Sequence, residues 1–337
     1  MSSTLSKMLL TLYKRKKRVF HYIYYNRYIM DIDLESQFTG ALIGSAVGDA
    51  LGAPVEGYSR EKVNAVYGAR GDWEMKSGRY TDDTEMMIGV AESLIENRGF
   101  NGADMAHKFI LNYDVSRGYG PGSKEALRRI RAGESWEAAS EQLFFGEGSY
   151  GNGAAMRIAP VGILYFDNAE VLREIAYKSS HITHAHLLGK EGAALQAYSI
   201  ALAVQGHKED MLPRLKAFAK EIYNDKLNTV ERLLGDDTEE KEVITELGTG
   251  IAAFDSVPTA IYAFCRFDTF EDAVAYAISL GGDTDTIGAM TGAISGAFYG
   301  EGAIPGRWVE KLEEGEKGRS YIKKLGNELY RIKMLHP

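Results

Sequence analysis

The sequence holds a single cysteine, Cys265, in 337 residues. One thiol excludes a disulfide framework and fits a reducing compartment, with the cytoplasm as the expected location. Cys265 lies in an apolar run and is expected in the core. Proline is scarce, seven in all, and no Pro- or Ser-rich linker divides the chain, so one main domain is expected. An excess of basic charge is also missing. The formal net charge is −8, which leaves no overall positive field to gather nucleic acid. No apolar stretch approaches membrane-spanning length, so no membrane partner is expected. Hardly any segment alternates in strand fashion, and 45% hydrophobic residues suffice for a substantial core, so the chain reads as all-α.

The charge is unevenly spread. Residues 1–30 carry seven Lys or Arg and no acid, which leaves about −15 for the remainder. This basic, tyrosine-rich segment lacks the apolar centre and small-residue cleavage site of a secretory signal. It reads as a start called too early, with Met30 the true first residue, or as a loosely ordered arm. An organellar presequence fits less well, because Lys outweighs Arg. The main domain is expected over residues 34–337, as a monomer by default.

What is present centres on Gly281-Gly282-Asp283-Thr284-Asp285-Thr286. It sets two carboxylates and two hydroxyls on a glycine turn that opens an apolar helix with Ile287, Met290, Ile294 and Phe298 on one face. The first helical turn has unpaired N–H groups and a positive dipole end, which orient acidic side chains and keep them ionised. Tyr80-Thr81-Asp82-Asp83-Thr84-Glu85 repeats the design upstream, with Asp82 read as the N-cap and Glu85 three residues on. Capping accounts for one acid per helix. Adjacent acids repel unless a cation sits among them. Hard oxygen donors without thiolates select Mg²⁺, Mn²⁺ or Ca²⁺.

Gly40, Gly44 and Gly48 form a small-residue stripe like Gly288, Gly292 and Gly296, so these two helices are expected to pack together. Asp49 falls on the apolar side of the first and needs a buried partner. Glu56 follows on a turn after Pro54. Two glycine-rich loops, Arg117–Ser123 and Gly146–Gly153, each lead into a helix and offer backbone N–H groups, which suits a ligand with two phosphates. His181, His184 and His186 lack the thiol or further imidazole company that a soft metal wants. At least one reads as a helix-start residue or a ring that stacks on a base. Asp236 and Asp237 read as surface residues. Pro258 is expected near a helix start, and Arg307–Pro337 as an outer amphipathic helix. Composition alone points to metal-assisted hydrolysis of a nucleotide-like substrate.

Six blocks then resemble, in order, the signature of the ADP-ribosylglycohydrolase family: Gly48–Glu56, Tyr80–Thr84, Gly118–Gly122, Gly148–Arg157, Thr183–Ala185 and Ser279–Thr286. The resemblance is to the branch with the dinitrogenase-reductase-activating glycohydrolase and the ADP-ribosyl-acceptor hydrolases. It implies an all-α fold with a binuclear Mg²⁺ or Mn²⁺ cleft. By the same resemblance Thr81, Asp82 and Asp83 would bind metal from one side, and Asp283, Asp285 and Thr286 from the other. Glu56 or Asp82 would take a proton from water. Gly118, Tyr119, Gly120, Pro121 and Gly122, with Ser149, Gly151 and Asn152, would hold a diphosphate, and Tyr150 and His184 would pack near the adenine. The implied partner is an ADP-ribosylated protein or other ADP-ribose conjugate.

Two rivals remain. Asp283-Thr284-Asp285 superficially matches the Asp-x-Asp motif of haloacid-dehalogenase-like phosphatases, which needs a preceding strand and an α/β domain after it. A catalytically silent ADP-ribose binder is the other.

Overall fold

The computed structural model describes residues 33–68, 73–220, 222–235 and 238–335. The basic segment 1–30 and the pair Asp236 and Asp237 lie outside them. The chain divides into units Met1–Asp33 and Leu34–Pro337, and every element below belongs to the second. Sixteen α-helices are described. The first eight are α1 (Leu34–Gly52), α2 (Arg60–Tyr67), α3 (Asp82–Asn97), α4 (Gly102–Asn112), α5 (Pro121–Arg131), α6 (Ala159–Leu164), α7 (Ala169–His181) and α8 (Leu187–Val204). There follow α9 (Met211–Phe218), α10 (Ile222–Gly235), α11 (Glu240–Leu247), α12 (Ala253–Arg266), α13 (Phe270–Ser279), α14 (Thr284–Tyr299), α15 (Gly306–Lys311) and α16 (Arg319–Leu335). No strand occurs among the described residues beyond the isolated bridges Ser59–Gly281 and Gly151–Ala252. The phosphatase reading fails on that ground, because helix α13 runs into the acidic turn where that motif requires a strand.

The molecule is built on α1 and α14, which are apolar nearly all round and buried along most of their length. Gly40 faces Gly296, Gly44 faces Gly292, Gly48 faces Gly288, and Gly52 faces Thr284. The reversed order makes the pair antiparallel. With no Cβ in the way, backbone meets backbone: a methyl at Gly48 would lie 2.0 Å from the Gly288 carbonyl oxygen. Leu42, Leu51, Ile287 and Ile294 are fully buried, worth roughly 1.5–3 kcal/mol each.

Four expectations need correction. By length and composition Leu34–Val55 would suffice to cross a membrane. Its apolarity serves instead to bury α1 on all sides in the core. Pro258 is inside α12, the sixth residue of the helix, rather than at its mouth. Cys265 is only half-buried, although burial of the sulfur pushes its thiol up to about 12. The C-terminal stretch is two helices, and α16 buries Ile322, Leu325, Gly326 and Leu329, with Gly326 against Thr39 of α1.

Candidate active site

The antiparallel pairing brings the C-terminal end of α1 to the N-terminal end of α14, where Thr284 donates its hydroxyl to the Gly52 carbonyl at 2.9 Å. Asp49, one turn earlier, draws in a third helix end. Its carboxylate accepts the Thr81 N–H at 2.9 Å and the Thr84 N–H at 3.1 Å and hydroxyl at 2.6 Å. The buried acid of α1 therefore caps α3 from outside. The cap residue of α3 itself is Thr81, which accepts the Asp83 N–H, one position before the expected Asp82. Asp82 and Asp83 then fall in the first turn, beside its positive dipole end.

The turn into α14 needs two left-handed residues, Gly281 at φ 78° and Gly282 at φ 82°. A Cβ on Gly282 would sit 2.1 Å from the Thr249 carbonyl oxygen. That carbonyl accepts the Asp283 N–H at 2.8 Å. On its other side Gly282 exchanges backbone hydrogen bonds with Gly57 at 2.8 Å and Tyr58 at 2.9 Å, which fixes the Glu56 turn to the acidic turn. As a result carboxylate oxygens of Glu56, Asp283 and Asp285 lie within 4.8 Å of one another. Gly282→Ala is expected to leave a folded protein with activity lowered at least about tenfold, since the methyl must push the Asp283 turn off Thr249. Circular dichroism beside a turnover assay checks this, and wild-type turnover would contradict it.

Both acidic runs line one cleft, with Glu56, Thr81, Asp82, Asp83, Asp283, Asp285 and Thr286 in its wall. Burial, then the charges of Asp49, Glu56 and Glu85, pushes Asp82 up to about 7. Asp83 is raised well above the carboxylate range by burial and by Asp285, Asp49 and Asp82, and Asp285 by burial and by Asp283, Glu56 and Asp49. Burial raises Asp283, and burial with Asp283 raises Glu56. Among the described residues, the one cation in the cleft wall, Arg117, is turned to Glu313, Glu85 and Asp114.

The buried Asp83 Oδ2 has no hydrogen-bond donor. A crowd of carboxylates with an orphaned oxygen and, among the described residues, no ion-paired cation fits a hard divalent cation. Asp83→Asn removes one ionisable carboxyl from the crowd without changing volume. It is expected to raise the thermal midpoint in chelator by about 2 °C, and an unchanged or lowered midpoint would argue against mutual repulsion.

Much of the remaining cleft wall comes from the glycine loops. Gly118, Gly120, Pro121, Gly122, Ser149, Gly151 and Asn152 all line it, with His184 beneath them. Pro121 and Gly122 belong to the first turn of α5, so the loop ends at Gly120 rather than at Ser123. Asn152 reaches past the loop, donating to Asp283 Oδ2 at 2.5 Å and to Ser256 at 3.0 Å. The Thr183 hydroxyl accepts from Arg157 at 2.8 Å and lies 2.7 Å from His184 Nδ1. Burial and Arg157 lower His184 to about 3, leaving a neutral ring whose Nε2 faces Gly151 and Gly153.

Two expected ligand residues stand outside the cleft lining. Tyr119 is buried, its hydroxyl bonded to Glu85 at 2.7 Å. Tyr150 is half exposed against His186 and Phe254. Of the histidines, His186 is the helix-start residue, capping α8, and His181 ends α7. Phe144 and Ile251 line the cleft without any periodic signal to mark them. The segment holding Ile251 splices the site together, since Thr249 bonds the Asp283 turn and the Ile251 carbonyl accepts the Asn152 N–H at 2.9 Å.

The model of the family described as ADP-ribosylglycohydrolase matches residues 30–335. The chain belongs to that family. An ADP-ribosylglycohydrolase is a hydrolase of glycosyl bonds, and this one is 36% identical to "ADP-ribosylhydrolase ARH3" of Mus musculus over 84% of its own length and 89% of the mouse chain. The human protein of the same name is also 36% identical, over 84% and 90% of the two chains. A solved structure, "ADP-ribosylglycohydrolase-related protein complex", superposes with a TM-score of 0.66 at 31% identity, covering 89% of this chain and 99% of that one.

Proposed function

We propose that this ADP-ribosylglycohydrolase hydrolyses the bond between the anomeric carbon of an ADP-ribosyl group and its acceptor, releasing ADP-ribose, and that it acts as a monomer. The observation that carries the reading is the meeting of two acidic helix mouths in one cleft with glycine loops along the same wall. Relatives that bear the name ADP-ribosylhydrolase support the substrate class. Thr81, Asp82, Asp83, Asp283, Asp285 and Thr286 are the residues that would hold two Mg²⁺ or Mn²⁺ ions. When bound, such ions would neutralise the carboxylates, grip ribose hydroxyls and lower the pKa of a water.

The chain's own groups supply the rest. Backbone N–H groups of the two glycine loops face the diphosphate. The neutral His184, held against Thr183, borders the same loop without adding charge. Glu56, exposed on its turn next to Asp283, is placed to hold a proton taken from water, with Asp82 the alternative. The acceptor is a protein side chain such as arginine or serine, or another ADP-ribose conjugate.

The test is release of ADP-ribose from arginine- and serine-linked peptides with Mg²⁺ or Mn²⁺. Activity that disappears with chelator and returns with the ion is the expected result. Tight ADP-ribose binding without any turnover would favour a silent binder and sink the proposal.

A further inference from the structure

Glu85 sits in the first turn of α3, three residues beyond Asp82, and its side chain turns away from the acidic cleft. One of its oxygens accepts both the Tyr119 hydroxyl at 2.7 Å and the Asp114 N–H at 2.8 Å. Its other oxygen faces Arg117 Nε at 3.7 Å. Asp114, Arg117 and Tyr119 belong to the segment that carries Gly118 and Gly120 into the cleft wall.

Arg117 closes the arrangement. It donates to the Tyr80 carbonyl at 2.8 Å and to Glu313, and its guanidinium lies 4.0 Å from the Tyr80 ring centroid. Gly118, at φ 99°, passes so near Asp82 that a Cβ there would lie 3.6 Å from its Oδ1. The helix that presents Thr81, Asp82 and Asp83 therefore also grips the glycine loop beside them, through a carboxylate that itself stays out of the cleft.

We propose that Glu85 is a positioning residue: by holding Tyr119 and the Asp114 N–H it sets the Gly118–Gly120 backbone at a fixed distance from the acidic cluster, so that diphosphate and ribose are gripped in register. The inference rests on the functional reading above for its ligand. It assigns Tyr119 to the anchor rather than to the substrate. A hydrogen bond to a buried charged acceptor is among the stronger single contacts. Its loss frees the loop while leaving the carboxylates of α3 in place.

The experiment compares wild type with Tyr119→Phe, Glu85→Gln, Glu85→Ala and the double variant Glu85→Ala/Tyr119→Phe. It reads KM and kcat on an ADP-ribosylated peptide, ADP-ribose affinity by calorimetry, and ligand-free amide exchange over residues 114–122. Tyr119→Phe is expected to raise KM and the ADP-ribose Kd about tenfold, with kcat changed less than about threefold and faster exchange in the loop. Glu85→Gln keeps an acceptor for both donors and should recover most of what Glu85→Ala loses. The double variant should be no worse than Glu85→Ala alone, because both remove one interaction.

Wild-type KM and exchange in Tyr119→Phe, or additive losses in the double variant, would overturn the assignment. Failure of the functional reading looks different. Wild type then binds no ADP-ribose, while the exchange comparison still reports whether Glu85 holds the loop.

Discussion

Asp283→Ala is expected to cut ADP-ribose release by at least about a thousandfold, the order lost when a preorganised charge-stabilising group is removed. The size follows from where the residue stands. Its carboxylate shares the 4.8 Å cluster with Glu56 and Asp285, and it accepts the Asn152 side chain from the glycine loop. Deleting it takes a hard oxygen from the acidic cluster and the tether from the loop at once. For wild type, Mg²⁺ or Mn²⁺ is expected to raise the thermal midpoint by mass action, and in Asp283→Ala that rise should be largely lost. Calorimetric scans with ion and with chelator, run beside the turnover assay, separate the effect on ion binding from the effect on folding. A variant within tenfold of wild-type turnover would show that the chemistry lies elsewhere.

The second large effect is on folding. Gly48→Val and Gly292→Val should each destabilise the protein by more than about 3 kcal/mol, enough to leave much of it insoluble. An added carbon at either position meets a backbone carbonyl at 2.0 Å, Gly288 in one case and Gly44 in the other. Backbone in a helix cannot step aside as the tip of a side chain can, so the pair must separate along its length. Separation also pulls Gly52 from Thr284 and Asp49 from the start of α3, which would open the acidic cleft. Gly302 has nothing within 4 Å of an added Cβ, and Gly302→Ala should stay within about 0.5 kcal/mol of wild type. Denaturation midpoints decide it. A Gly48→Val protein as stable as its parent would mean that α1 and α14 do not touch through their backbones.

Much of the site's framework was legible because it is written in local periods. Glycines every four residues in two segments predict close helix packing, and α1 and α14 pack that way. Acids beside a glycine turn before an apolar run predict carboxylates at a helix mouth, and Asp283 and Asp285 stand there. The reading of Asp49 as a buried acid in need of a partner also agrees with its bonds to Thr81 and Thr84. Side-chain direction was less legible. Tyr119 lies between two glycines of an open loop, yet the left-handed Gly118 turns it inward to Glu85. Asn152 reads as a loop ligand but spends its amide on Asp283 and Ser256. The Thr249–Ile251 segment has no motif at all, because its contribution is made by backbone carbonyls, which every residue has.

The sequence by itself determined that the chain is helical, which helices are core, and that carboxylates and glycine loops would open several of them. Those properties depend on neighbours a few positions away, through helical period, capping and glycine's backbone freedom. Tertiary structure decided that Asp83 and Asp285 share a cleft and that Glu56 closes on Asp283. It also turned Glu85 away from that cleft to hold a loop. These depend on the antiparallel contact of α1 and α14 and on one buried carboxylate that pulls α3 into place, and no local pattern encodes a meeting of residues so far apart along the chain.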